Sequence, residues 1–211
     1  MTAPTLFPAP QAPAPASVAG AGTQPLLTIA LDVAIGTTGV AGDGWTDHVH
    51  TKANTLHERF AEQLDGIASF IRNANFVIIE GAAFSKARFA GMDQLSAMRW
   101  MVRHDLWKRG IPYAIVPPDN RVKYLTGTTQ PKDPETGKRA SGTVLKGIVR
   151  AAVADLFGVP TEGRWRYDEA DAAVLYAMAR DWLGAPLAVL PESHRAALDG
   201  CQWPDREQVT P

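Results

Sequence analysis

Between Leu26 and Leu190, apolar runs of strand length alternate with stripes of helical period, and that alternation restricts the chain to strands layered against helices. Leu26 to Val33 is a continuous apolar segment, long enough for one buried strand. Gly36-Thr37-Thr38-Gly39-Val40-Ala41 reads as a glycine-rich turn into a second strand, and Gly42-Asp43-Gly44 as the hairpin turn into a third. Leu56, Phe60, Leu64, Ile67 and Ile71 recur at three and four residues as on an amphipathic helix, which Asn73-Ala74-Asn75 ends. Phe76 to Glu80 is a short buried strand. Met92, Leu95, Met98, Val102 and Leu106 form a second helical stripe closed by Gly110. Tyr113 to Val116 is a strand that Pro117-Pro118 terminates, and a polar stretch from Gly127 to Gly142 follows. Helical patterns resume over Val144 to Phe157 and Asp171 to Trp182. The order predicts a partly parallel sheet with helices packed on it, opened by an antiparallel meander of three strands.

The 211 residues, 45% of them hydrophobic, support one substantial core. That core is expected in a domain spanning 26–190. Residues 1–25 carry Pro, Ala, Gly and Thr but no charge, and read as a disordered arm. Residues 191–211 mix Pro, charges and Trp203, and are expected to form a tail at the surface or poorly ordered. A single cysteine, Cys201, excludes an intrachain disulfide and a cysteine-based metal knuckle, which fits a reducing, cytoplasmic setting. No apolar run approaches the ~20 residues of a membrane span, and no signal-peptide pattern opens the chain.

Four acids stand where acids are rare. Asp32 lies in the apolar run 26–33, Glu80 ends Phe76-Val77-Ile78-Ile79, and Asp168 and Asp171 open the last helix. Burying several carboxylates together is costly unless a cation gathers them. Asp168 and Asp171 also suit a helix start, where the dipole favours acids. Asp171, however, shares a face with Leu175, Met178 and Trp182, so it is expected to point inward, with Asp168 on nearly the same side. Oxygen-only ligands in this number suit magnesium, and the chemistry they imply is hydrolysis of a phosphodiester.

Three pieces carry a resemblance: Ile29-Ala30-Leu31-Asp32 followed by Gly36-Thr37-Thr38-Gly39, then Val77-Ile78-Ile79-Glu80, then Asp168-Glu169-Ala170-Asp171-Ala172-Ala173. Together they resemble the RuvC-type Holliday junction resolvases of the ribonuclease-H-like nuclease superfamily, over about residues 26–183. The resemblance implies a ribonuclease-H-like α/β fold. It also implies metal ligation by Asp32, Glu80, Asp168 and Asp171 of two Mg2+ ions, with Mn2+ as a possible substitute. The activity it implies is paired hydrolysis of a four-way DNA junction by a homodimer. The chain departs from the family at Val33-Ala34-Ile35, in place of a tighter Asp-Pro-Gly turn, and at 130–142, which reads as an insertion.

Net charge is −1, yet residues 121–150 hold seven basic side chains against two acids. Such a run is either a solvated face or a phosphate-gripping loop, for which Arg121, Lys123, Lys138, Arg139 and Lys146 are the candidates. The resemblance singles out Lys123 and Lys146 as contacts near the scissile bond, and Lys146 as the one with a catalytic part. Phe84-Ser85-Lys86-Ala87-Arg88-Phe89 combines aromatics with cations, so Phe84 or Phe89 could stack on bases while Lys86 and Arg88 meet phosphates, unless both rings pack beneath the next helix. The Met92 to Leu106 stripe is assigned to core and dimer face, and the five histidines have no metal spacing.

Other readings stay open. A related nuclease on RNA or flapped DNA would use the same acids, and a catalytically idle domain could bind branched DNA. Gly36-Thr37-Thr38-Gly39 also resembles the phosphate loop of actin-like ATPases, which require two such domains.

Overall fold

The computed structural model describes residues 26–82 and 91–209. Strands β1 (Thr28–Val33), β2 (Thr37–Gly42), β3 (Trp45–His50), β4 (Phe76–Glu80) and β5 (Tyr113–Val116) form one sheet in the order β3-β2-β1-β4-β5. β1 to β3 run antiparallel, while β4 and β5 lie parallel to β1. Helices α1 (Leu56–Ile71) and α2 (Met92–Arg109) precede β4 and β5. After them come α3 (Pro118–Thr126), α4 (Gly142–Phe157) and α5 (Arg166–Trp182). This is the mixed sheet the sequence predicts, with each parallel strand reached through a helical crossover.

The alternation of side chains along each strand divides the core in two. Ile29, Leu31, Val33, Val77 and Ile79 face one way, onto Phe60, Ile67 and Ile71 of α1 and Met98, Val102 and Leu106 of α2. Ala30, Phe76, Ile78 and Ala114 face the other way, onto α3, α4 and α5. Asp32 follows Ala30 by two residues and Glu80 follows Ile78 by two, so both acids belong to the α5 face. α5 is buried all round from Ala170 to Ala179, because it lies between the sheet and α4. Alanine serves there twice: it favours helix, and its small side chain permits close packing.

Helix starts and stops follow local chemistry. Thr55 accepts from the Glu58 backbone N–H while the Glu58 carboxylate accepts from the Thr55 N–H, a capping box that opens α1. Pro118 opens α3 at its first position, where a missing N–H costs nothing. The sequence reading of Pro117-Pro118 only as a strand terminator therefore overlooked a helix.

The C-terminal segment also differs from expectation. Ile115 and Gln202 exchange backbone hydrogen bonds at the outer edge of the sheet, Trp203 stacks on Trp182 at 4.9 Å, and Val209 is buried. Covering the open edge of β5 and filling the groove beside α5 accounts for this order. Buried Asp181 draws the pieces together, accepting from Tyr124 on α3 at 3.1 Å and from Arg195 through both Nε and Nη2. The N-terminal arm lies outside the described residues. No helix among them is long and apolar enough to cross a membrane.

Candidate functional site

Parallel pairing of β1 with β4 ends at Leu31 and Ile79, so Asp32 and Glu80 follow side by side at the C-terminal ends of the two strands. In open α/β sheets this end of the strands is where ligands bind. Asp171, on the second turn of α5, approaches from above, and Asp32, Glu80 and Asp171 are all buried. Asp168 lies half-buried one helical turn earlier. The structure thus brings together all four acids singled out in the sequence, from three separate elements.

Gly39 makes the approach possible. It pairs with Asp32 across the β1–β2 ladder, and a Cβ built on it would stand 2.0 Å from the backbone oxygen of Asp168. Only glycine lets the first turn of α5 lie this close to the sheet. Gly39→Ala is therefore expected to lift that turn, cost about 1–3 kcal/mol as overpacking does, and separate Asp168 and Asp171 from Asp32. Thermal melting with and without magnesium checks this; an unchanged melting temperature would remove the close contact from the account.

The turn before Gly39 is held from behind. Gln63 of α1 is fully buried; its Nε2 donates to the Ala34 carbonyl and to Thr38 Oγ1, each at 2.6 Å, and its Oε1 accepts from the Gly36 N–H at 3.0 Å. These bonds satisfy the Ala34 carbonyl and the Gly36 N–H within Val33-Ala34-Ile35-Gly36, the segment where the chain departs from the tighter turn of the resembled family. Gly36 itself takes a φ of 83°, which suits glycine.

Two arginines enter the acid cluster. Arg99 of α2 donates from Nη2 to Glu80 Oε2 at 3.1 Å. Arg121 of α3 lies between two acids: its Nε is 3.2 Å from Glu80 Oε1, and its Nη1 pairs with Asp171 Oδ1. Burial alone would lower the Arg121 pKa, but the carboxylates of Asp171, Glu80 and Asp32 outweigh it and hold the guanidinium charged. Burial pushes the Asp32 carboxyl well above the usual range, and repulsion from Glu80 and Asp171 adds to the rise while Arg121 opposes it. Asp168 is raised by burial, partly offset by Lys146.

Arg121 thus faces the acids, whereas the sequence grouped it with phosphate-gripping cations. Lys123 is half-buried two residues along the same helix. Lys146 stands exposed on α4, with its ammonium 5.7 Å from the Tyr167 ring and near enough to Asp168 to favour that carboxylate. Lys138 and Arg139 are exposed on a small turn bridged at Lys132 and Arg139. Phe84, Phe89, Lys86 and Arg88 lie outside the described residues.

The histidines, given no role in the sequence reading, have neighbours here. His48 Nδ1 is 2.9 Å from Glu169 Oε1, and His50 packs on Trp165 with centroids 4.4 Å apart. Arg99 and Gln63 were likewise missed as site residues, whereas the sequence leaves open whether Asp168, Glu169 or both complete the acid set, and here Glu169 turns to His48. An arginine on an otherwise apolar helix stripe was the one available signal, since Arg99 adjoins Met98 and precedes Val102.

The donor set suits a hard divalent cation. Every candidate ligand is a carboxylate oxygen, and Glu80 Oε1 is buried without an aligned hydrogen bond. No described residue donates a hydrogen bond to the Asp32 carboxylate. Four carboxylates face two guanidinium groups, so negative charge remains. Among the described residues, however, no three such groups already stand arranged around a common point. Arg121 holds both Glu80 and Asp171, so these two acids would have to give up part of that pairing to ligate a cation.

No model of a known protein family matches the sequence, and no curated protein matches it. Among solved structures, the chain is similar to Thermus thermophilus RuvC, with a TM-score of 0.53 and 16% identity, over 77% of this chain and 99% of that one. It is also similar to T. thermophilus RuvC in complex with Holliday junction substrate, with a TM-score of 0.54 and 14% identity, over 78% and 99% of the two chains. At such identities the likeness establishes the fold, which is the ribonuclease-H-like fold of RuvC.

Proposed function

We propose, from a chain with the RuvC fold and four acids gathered at one end of its sheet, that this protein is a divalent-metal-dependent endonuclease resolving four-way DNA junctions. The observation that carries the reading is the convergence of Asp32, Glu80, Asp168 and Asp171 from β1, β4 and α5. These residues would hold magnesium, with manganese as a substitute. The metal would supply a hydroxide nucleophile at neutral pH and positive charge at the leaving 3′ oxygen. Arg99 orients Glu80 through its hydrogen bond to Oε2. Gln63 fixes the turn that follows Asp32. Lys146, beside Asp168, offers positive charge to the phosphate, and Lys123 on α3 is a second candidate. Lys138 and Arg139 would meet backbone phosphates farther along the duplex arms, giving position without sequence preference.

Paired nicks in a twofold junction call for a twofold enzyme. The outer surface of α2 exposes Trp100, Met101 and Trp107, with Trp107 71% exposed, and such aromatic exposure supports a homodimer through this helix. Arg121 favours a second reading, in which the guanidinium stays paired with Glu80 and Asp171 and the domain binds branched DNA without cutting it.

Cleavage of a labelled synthetic four-way junction separates these readings, with linear duplex, flap, RNA and single-stranded controls, in magnesium or chelator. Symmetric paired nicks in the junction alone, lost in chelator and in Asp171→Asn, are expected. Cutting confined to flaps or RNA would keep the metal site and discard the junction. Tight junction binding with no turnover in any metal would establish the idle domain.

A further inference from the structure

A second surface adjoins the acid cluster. A cleft of about 630 Å³ lies between the β1–β2 turn at Gly36-Thr37, the segment from His50 to Ala53 that leads into α1, and the loop that enters α5 at Arg164-Trp165. Its charged walls are Lys52, Arg59 and Arg164, and no carboxylate lines it. In a chain of net charge −1, three exposed cations around one concavity concentrate positive potential there.

The walls are braced. The Trp165 ring packs against His50, and the Arg164 guanidinium lies 4.6 Å from the same ring. His50 Nδ1 is 2.9 Å from the Gly36 carbonyl oxygen, and Arg59 Nε donates to the Ala53 carbonyl at 2.8 Å. An arginine held on an aromatic face loses less freedom when it grips an anion than one free in solvent. The cleft also shares its framework with the acids. Thr37 starts the strand on which Gly39 pairs with Asp32, and Trp165 precedes Asp168 by three residues on the way into α5.

We propose that this cleft seats a backbone phosphate of the strand being cut, next to the scissile linkage, with Lys52, Arg59 and Arg164 as its cationic contacts. The assignment rests on the nuclease reading above. It adds that the strand is held on the hairpin side of the acids, by residues outside the basic run 121–150. Registering one phosphate in the cleft aligns its neighbour over Asp32, as positioning contacts do in other protein–DNA interfaces.

The test uses the full chain in chelator, where it binds without cutting, and a four-way junction whose nick position has been mapped. Single neutral methylphosphonate linkages are placed in turn at each position flanking the nick, and affinity is read by fluorescence anisotropy. One position should weaken native binding roughly tenfold. Lys52→Ala with Arg164→Ala should weaken the unmodified junction similarly and become indifferent to that linkage. The slope of log affinity against log salt should fall by about one, since each phosphate neutralised accounts for ~0.9 on duplex. Arg59 is retained because it braces Ala53. The same linkage penalty in native and variant protein, with unchanged slope, would overturn the assignment while paired cutting left the nuclease reading intact. Native protein that binds no junction at all would instead remove the reading and the cleft together.

Discussion

Asp32→Asn is expected to remove metal-dependent cleavage while making the metal-free protein more stable. The two effects share one cause. Asp32 is buried beside Glu80, Asp171 and Asp168, so its ionised form is penalised by desolvation and by like charge. A metal converts that penalty into ligation; the amide cannot ligate comparably. Loss of several kcal/mol of transition-state charge stabilisation, at ~1.36 kcal/mol per tenfold, corresponds to roughly three orders of magnitude in rate. In chelator the amide removes the penalty, and each kcal/mol recovered raises Tm by ~2–4 °C in a chain of this size. The pH dependence has a definite sign. The folded pKa of Asp32 lies above its ordinary value of 3.8, so the folded state holds this proton more tightly. Below that ordinary value the ionisation costs folding nothing; as pH rises through the folded pKa, stability is lost. The advantage of the amide should therefore be small near pH 3.5 and grow as pH rises from there. Calorimetric scans across pH in chelator, with junction cleavage rates, check both halves. An amide variant that melts at or below the native temperature at neutral pH would contradict the buried, repelled carboxylate.

Arg121→Ala should have the opposite signature. Its guanidinium is buried between Glu80 and Asp171, and removing one member of a buried ion pair leaves the others uncompensated, at a cost of about 3–5 kcal/mol. A Tm fall on the order of 10 °C in chelator follows. Magnesium should then raise the variant's Tm more than the native protein's, because the ion takes over neutralisation of the two acids. Arg121→Lys, which keeps the charge but not the two-pronged reach, is expected to fall between them. Thermal melts over a magnesium titration read all three proteins. A native-like Tm for the alanine variant in chelator would mean that Arg121 does not sit among the acids in solution. A magnesium shift equal to that of native protein would mean that the guanidinium and the metal do not share the site.

The order of strands and helices was legible in the sequence because each element announces its own period. Strand-length apolar runs alternating with helical stripes imply a partly parallel sheet covered by helices, and β1 and β4 are buried on both faces as such a sheet requires. The acids were legible because Asp32 interrupts, and Glu80 ends, a strand-length run that is otherwise almost wholly apolar. Alternation then put them on the face of Ala30 and Ile78. α3 was not legible as a helix, because Pro118 can end a strand or begin a helix, and local sequence does not decide between them.

What the sequence by itself determined was therefore the layering, the strands that carry acids and the inward set of those acids, all properties of short-range periodicity. Tertiary structure alone decided the partners. Arg121 became the counter-charge of Glu80 and Asp171 only because α3 packs under α5. Lys52 and Arg164, far apart in the chain, came to share one cleft only because Gly39 admits α5 to the sheet. Such contacts depend on how closely two elements pack, and that distance is set by side-chain volume across an interface, which no local pattern records.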